Sequence, residues 1–237
     1  MLVEGQPGVG KTALLAAAAD HASDLGLRAL ATSAGQWDSA APFGVVRRLF
    51  DRPLMSLPAA EAERLDAGPA RLAAGLMRGD SVDGAPQSDV LHSLYWLLES
   101  FAAGAPLVLL TDDVQWADED SLLFFTSLRE RLRGLPVVLV VAVREVVPED
   151  RSPALASLLA DRDARVVRLS GLSVAGVGEL ISHHWATDPD PDLAAAAADV
   201  TGGNPFLVEA LARLLADRRL DPAGVRAAVP DLSLIHI

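Results

Sequence analysis

Apolar positions along the chain follow two periods that alternate with one another. The stretches Leu107 to Thr111, Val137 to Val143 and Val166 to Leu169 are short and mainly aliphatic or β-branched. They predict buried strands, because a strand with one wet face would alternate polar and apolar residues. Between such runs the period lengthens. From Gln87 to Ala102 the apolar residues are Val90, Leu91, Leu94, Tyr95, Leu97, Leu98 and Phe101, the three-to-four spacing of a helix packed on one face. Thr12 to Leu25 is rich in Ala and Leu, which favour helix, and Gly26 supplies a stop. Arg28 to Ala34 reads as a further short strand, Gly35 to Pro42 as a loop and Phe43 to Phe50 as a helix. Residues 53 to 85, rich in Ala, Gly and Pro, contain helical stretches whose order the pattern leaves open. Strands separated by helices predict a parallel sheet with helices on both faces, a three-layer α/β architecture.

After Gly171 the strand pattern stops. Ser173 to Trp185, Pro191 to Val200 and Pro205 to Ala216 read as three helices, and the five alanines at 194 to 198 are a helix signal and not a linker. The expected organisation is a main α/β domain over residues 1–171, a small helical domain over 172–217, and the start of a further domain or linker over 218–237. Only Met1 to Glu4 precede Gly5, so the first strand is expected to be cut short, with more chain upstream. The closing Leu234-Ile235-His236-Ile237 is likewise expected to mark a cut in a longer protein.

Composition narrows the function. Half of the 237 residues are apolar, 51%, enough for a sizeable core and too apolar for a disordered chain. A net charge of -12 argues against a broad nucleic-acid face, which needs clustered Lys and Arg. Any DNA contact is expected in residues outside this chain. Cysteine is absent, which excludes disulfides and thiolate metal sites and fits a reducing, cytoplasmic setting. The strongest apolar run, Leu135 to Val143, is nine residues between Gly134 and Arg144, about half of what spans a bilayer. No membrane association is expected.

The chemistry concentrates in Gly5-Gln6-Pro7-Gly8-Val9-Gly10-Lys11-Thr12, which fits G-x-x-x-x-G-K followed by Ser or Thr between a strand and a helix. Glycines at 5, 8 and 10 are expected to allow backbone conformations in which successive N–H groups turn inward as an anion nest, and the following helix adds its positive end. Of the twenty basic residues nineteen are Arg, and the only Lys is Lys11. A compact ammonium on a flexible stem suits β and γ phosphates where a planar guanidinium does not. Thr12 would place its hydroxyl on magnesium. A plain Gly-rich helix cap would explain the glycines and Thr12, but not the solitary lysine.

The strand 107–111 delivers Asp112 and Asp113 at its C-terminal end, the edge where open parallel sheets bind ligands. Asp112 is the candidate magnesium ligand, directly or through water, and Asp113 the candidate to orient or deprotonate an attacking water, with Asp118 and Glu119 next in line. Alone, the pair would equally suit a turn with helix-capping aspartates. Arg144 closes the strand 137–143 and is a candidate to sense the γ phosphate, or else a surface residue ending a strand. Three other signals carry little. Arg78-Gly79-Asp80-Ser81 is a chance match to an adhesion tetrapeptide. Asp188-Pro189-Asp190-Pro191-Asp192 lacks the Gly and Glu of a calcium loop. His183 and His184, adjacent on a helix, point to different sides.

Together with Asp112-Asp113-Val114-Gln115-Trp116-Ala117-Asp118, Arg144 and Gly202-Gly203-Asn204-Pro205-Phe206, the phosphate motif resembles the signal-transduction ATPases with numerous domains. The nearest likeness is to the AAA+-like ATPase module of large ATP-binding LuxR-type transcription regulators, and it covers nearly the whole chain. The resemblance implies a P-loop fold of the ASCE/AAA+ kind with a helical lid. Trp116, Ala117 and Asp118 match the family's Trp-Ala-Asp turn. Gln115 stands where the family often has His and is assigned no catalytic role, and Thr111 is more polar than the usual aliphatic residue. Gly203, Asn204 and Pro205 match the Gly-x-Pro motif that brings the lid to base and ribose, and would also serve as an ordinary helix start with Asn204 as N-cap.

The implied function is an ATP/ADP switch with slow Mg2+-dependent hydrolysis. The family places an inducer and a C-terminal DNA-binding domain on segments beyond residue 237, with ATP-dependent self-association as a further expectation. The rival readings are a motor-type AAA+ ATPase resembling origin-recognition loaders, which predicts a basic DNA-facing surface and an arginine finger from a neighbouring subunit, and a nucleotide-binding scaffold that has lost hydrolysis.

Overall fold

The computed structural model describes residues 1–35, 42–82, 84–131, 134–145, 151–160, 163–185 and 189–218. The expected further domain or linker at 218–237 lies, apart from Arg218, outside the described residues, as does Asp188 of the aspartate and proline cluster. The elements are β1 Leu2–Gly5, α1 Lys11–Asp24, β2 Arg28–Ser33, α2 Gly44–Met55, α3 Ala59–Ala67, α4 Arg71–Arg78, α5 Gln87–Ala102, β3 Leu107–Asp112, α6 Glu119–Arg131, β4 Val137–Arg144, α7 Pro153–Leu159, β5 Val166–Arg168, α8 Val174–Trp185, α9 Pro191–Thr201 and α10 Pro205–Arg218. A short 3-10 turn, Val114–Trp116, links β3 to α6. The strands form one five-stranded sheet in the order β2-β3-β4-β1-β5. β3 pairs in parallel with β2, Thr32 opposite Thr111, and with β4, Thr111 opposite Val141. The expected α/β class with a parallel sheet and flanking helices is the observed one.

By internal contacts the chain divides into two compact units, Met1–Val3 with Thr12–Val167, and Glu4–Lys11 with Arg168–Ile237. In the first, every residue of β3 is buried, as a strand covered on both faces requires. Its core draws Leu94, Leu97, Leu98 and Phe101 from α5, Leu107 and Leu109 from β3, and Phe124 and Phe125 from α6. The apolar stripe of α5 therefore does what its spacing predicts, and the helix has the expected limits. Residues 53 to 85 resolve into the end of α2, then α3 and α4. The Ala-rich helix α4 buries Ala73, Ala74, Leu76 and Met77.

β5 corrects the reading of a buried strand. Val166 and Val167 are 40% and 37% exposed, because β5 is the terminal strand of the sheet beyond β1. An aliphatic run does not tell a central strand from an edge one.

The second unit packs α8, α9 and α10 around Val177, Ile181, Leu193, Ala197, Val208 and Leu211. Asp190 caps α9 by accepting from the Asp192 N–H at 2.9 Å, with Pro191 in the first turn. Gly202, left-handed with φ 59°, ends that helix, and Gly203 follows with φ 69°. A Cβ at Gly203 would stand 2.2 Å from the Leu172 carbonyl oxygen, so both its φ and its surroundings exclude a side chain. Among the described residues no helix is long and apolar enough to cross a membrane.

Candidate functional site

The segment joining β1 to α1 owes its shape to two of its glycines. Gly8 and Gly10 have φ of 76° and 100°, a region closed to most side chains. Gly5 does not share it, contrary to the sequence expectation, and is glycine for a different reason. A Cβ there would lie 2.7 Å from Val9 Cγ1 and 3.2 Å from the Leu169 carbonyl oxygen, so the constraint is space. Gln6 and Pro7 carry the loop outward and Val9 is buried beneath it. Lys11 is only 6% exposed. Its Nζ donates to the carbonyl oxygens of Gly5 at 2.9 Å and Gln6 at 3.0 Å, so the loop backbone itself fixes the ammonium.

In the same unit Asn204 meets this loop. Its Nδ2 donates to the Pro7 carbonyl oxygen at 2.9 Å, and its Oδ1 accepts from the Phe206 N–H at 3.1 Å. One face of the amide thus caps α10 and the other holds the loop. The Phe206 N–H also reaches the Gly8 carbonyl oxygen at 3.3 Å, and a Cβ on Gly10 would sit 4.0 Å from Pro205 Cγ. A cavity of about 300 Å3, lined by Gln6, Pro7, Val9, Gly202, Asn204 and Leu207 among others, opens between loop and helices.

The other candidate residues belong to the first unit. The Thr12 Oγ1 hydroxyl donates to Asp112 Oδ2 at 2.5 Å, and Asp112 Oδ1 accepts from the Asp113 N–H at 2.8 Å. Asp113 has left-handed backbone, φ 50° and ψ 40°, a conformation Asp tolerates better than most residues. It turns the chain out of β3 into the 3-10 turn. Its carboxylate accepts at Oδ1 from Arg144 Nε at 3.1 Å and Gln115 Nε2 at 2.9 Å, and at Oδ2 from Arg144 Nη2 at 3.4 Å. Arg144, closing β4, thus faces the candidate base. Gln115 also accepts from the Arg144 backbone N–H at 3.1 Å.

Asp118 is excluded as a substitute base. It is 3% exposed, and its carboxylate accepts from the N–H groups of Phe43, Val45 and Ser121 and from the Ser121 hydroxyl at 2.7 to 3.2 Å. These bonds tie the start of α2, where Phe43 is left-handed with φ 56°, to the start of α6. An Asp ahead of an acidic first turn is the sequence signature of a helix cap, and that signal was available at Asp118. Glu119, in the first turn of α6, is exposed.

The donor set suits a nucleotide with a small hard cation. The Thr12 hydroxyl and the Asp112 carboxylate, hydrogen-bonded to each other, offer oxygens only. That fits magnesium, which keeps several waters and takes its other oxygens from phosphates.

A parallel sheet whose first strand runs through a glycine-rich turn into a helix, with β4 between that strand and the one bearing the acidic end, defines a P-loop nucleoside-triphosphate-binding protein. Residues 1–141 match the family model described as the AAA ATPase domain, and the chain belongs to that family. It is an AAA+-like ATPase module, and nucleotide binding follows from that membership. No curated protein matches the chain significantly. Among solved structures it is similar to the Walker-type ATPase PABY2304 of Pyrococcus abyssi, with 13% identity, a TM-score of 0.60, and coverage of 98% of this chain and 67% of that one. It is also similar to Cdc6p from Pyrobaculum aerophilum, with 16% identity and a TM-score of 0.55, covering 92% of this chain and 55% of that one. The chain therefore spans about half the length of Cdc6p, and identities this low speak for the fold alone.

Proposed function

We propose that the chain is the nucleotide-dependent switch of a larger, signal-responsive transcription regulator, of the class of signal-transduction ATPases with numerous domains. It binds ATP and ADP with magnesium and hydrolyses ATP slowly. The observation that carries this reading is Asn204, whose amide caps the helix of the Gly-x-Pro motif and at the same time holds the carbonyl of Pro7 in the phosphate loop. A contact of that kind lets the state of the loop bias the helix after it, which is what a switch requires.

The N–H groups around Gly8 and Gly10 hold the phosphates, and Lys11 turns from the loop carbonyls towards the β and γ oxygens. Thr12 and Asp112 would hold magnesium, which would supply positive charge against the phosphates. Asp113 accepts a proton from the attacking water as its oxygen bonds to the γ phosphorus. The bond to the bridging oxygen breaks, and ADP leaves with the electron pair. Arg144 stabilises the transferring phosphoryl group. Because Asp113 is held by Arg144 and Gln115, those bonds must rearrange first, in keeping with slow turnover. Asn204, which lines the 300 Å3 cavity, and Pro205, the next residue of the chain, contact base and ribose. In this reading residues 1–171 and 172–217 are the nucleotide-binding and lid domains of a cytoplasmic protein. The inducer and DNA are bound by segments beyond it, and ATP promotes self-association. The motor reading is disfavoured by the charge of -12, since work on DNA needs a basic face.

The test is to purify the chain, release its nucleotide by denaturation and identify it chromatographically, beside Lys11→Ala. ADP in the wild type and none in the variant is the expected result. A folded Lys11→Ala protein that titrates with unchanged nucleotide affinity would refute the site.

A further inference from the structure

We infer that Gln115 is a positioning residue for hydrolysis, one that fixes Asp113 and Arg144 relative to each other. The inference rests on the reading of Asp113 as the base. Gln115 lies in the 3-10 turn after β3, and both ends of its amide are used. Nε2 donates to Asp113 Oδ1 at 2.9 Å, while Oε1 accepts from the Arg144 backbone N–H at 3.1 Å. The first bond is local. The second crosses 29 positions of sequence to the last residue of β4, so one side chain links the turn that aims Asp113 to the strand end that carries Arg144.

A primary amide of this reach does both tasks, because it has donors at one end and an acceptor at the other. The partners fix its orientation: a carboxylate takes the NH2 end, and an N–H takes the oxygen. Glu at 115 would put a second carboxylate against Asp113, and Met would fill the space with no donor and only a weakly accepting sulfur. The Asp113 to Arg144 contact is partly exposed, with side chains 22% and 38% accessible, and such pairs hold geometry weakly. Asp113 is at a left-handed position, so its direction depends on what its side chain and the turn are tied to. When Arg144 leaves Asp113 for the phosphoryl group, the Gln115 bond keeps the carboxylate aimed, and the bond to the backbone of residue 144 keeps the guanidinium within reach.

The experiment measures steady-state ATP hydrolysis and direct nucleotide titration for the wild type, Gln115→Met, Gln115→Glu, Asp113→Asn and the double variant Asp113→Asn with Gln115→Met, with thermal melting as the check on folding. Gln115→Met is expected to lower kcat by about tenfold or more, the scale of a misplaced catalytic group, while KM and nucleotide affinity stay at wild-type values. Gln115→Glu should fall further. In the Asp113→Asn background Gln115→Met should cost clearly less than in the wild type, because one of the two groups it positions is gone; a merely structural role would add its full loss there. Wild-type kcat in a folded Gln115→Met protein, with Asp113→Asn slowed, would overturn the role of Gln115 and leave Asp113 as the base. Wild-type kcat in Asp113→Asn would overturn the reading on which the inference stands.

Discussion

Thr111 is the least accommodated polar side chain of β3. It is wholly buried one position before Asp112, and its Oγ1 is a buried side-chain oxygen without a hydrogen-bond partner among the described residues. A hydroxyl taken out of water and left unmade costs about 1–3 kcal/mol, and valine has nearly its shape. Thr111→Val should therefore stabilise the protein by about 1 kcal/mol, read as a higher denaturant midpoint at unchanged slope, with nucleotide affinity preserved. A lower midpoint would mean that the hydroxyl has a partner after all, such as a bridging water. The same scale shows what the sequence could reveal of the site. Lys11 and Thr12 stand out because their motif is contiguous, and Asp112 because it ends an apolar run. Gln115 resists reading because its defining partner, Arg144, is 29 positions away, and Asp118, although readable as a helix cap, gives no local sign of its bond to Phe43, 75 positions away. Gly5 fits its motif, yet its reason is the closeness of Val9 and Leu169, which no local pattern encodes.

Elements were legible where one face of a regular period meets a core. α5 repeats every three to four residues and has the limits its pattern gives. The stretch 53 to 85 was opaque because α3 and α4, nine and eight residues long, offer about two turns each, too few for a stable period. α10 shows an element whose start has two uses. Its Asn204 N-cap is readable from Asn-Pro after Gly-Gly, but the bond of its Nδ2 to Pro7, 197 positions away, is not. The two uses separate chemically. Asn204→Asp keeps an oxygen for the Phe206 N–H and loses the donor to Pro7, setting a carboxylate against a carbonyl. Asn204→Ala loses both. The aspartate variant should melt close to wild type yet bind nucleotide about tenfold more weakly, the equivalent of one lost hydrogen bond of about 1.4 kcal/mol. The alanine variant should show that weakening together with about 1 kcal/mol lost from the cap. Wild-type affinity in Asn204→Asp would show that the bond to the phosphate loop has no part in binding.

At the scale of the whole molecule, a ligand that binds only the folded chain raises its stability by RT ln(1 + [L]/Kd), about 2.7 kcal/mol at a hundredfold excess over Kd. For a chain of this length about 1 kcal/mol moves the melting temperature by roughly 2–4 °C, so saturating nucleotide should be visible as a shift of several degrees. That shift can be divided by chemistry. Part belongs to the phosphate loop and Lys11 and needs no metal. The rest appears only with magnesium and depends on the oxygens of Thr12 and Asp112, which already lie 2.5 Å apart. Thr12→Val replaces the hydroxyl by a methyl of similar size and leaves the Asp112 bond to the Asp113 N–H in place. Melting this variant with ATP alone should therefore give the wild-type shift, and adding magnesium should extend it little or not at all, whereas Lys11→Ala should lose both parts. If Thr12→Val keeps the full magnesium increment, the cation is held by oxygens other than this pair. The assignment of Thr12 and Asp112 then fails, while that of the phosphate loop stands.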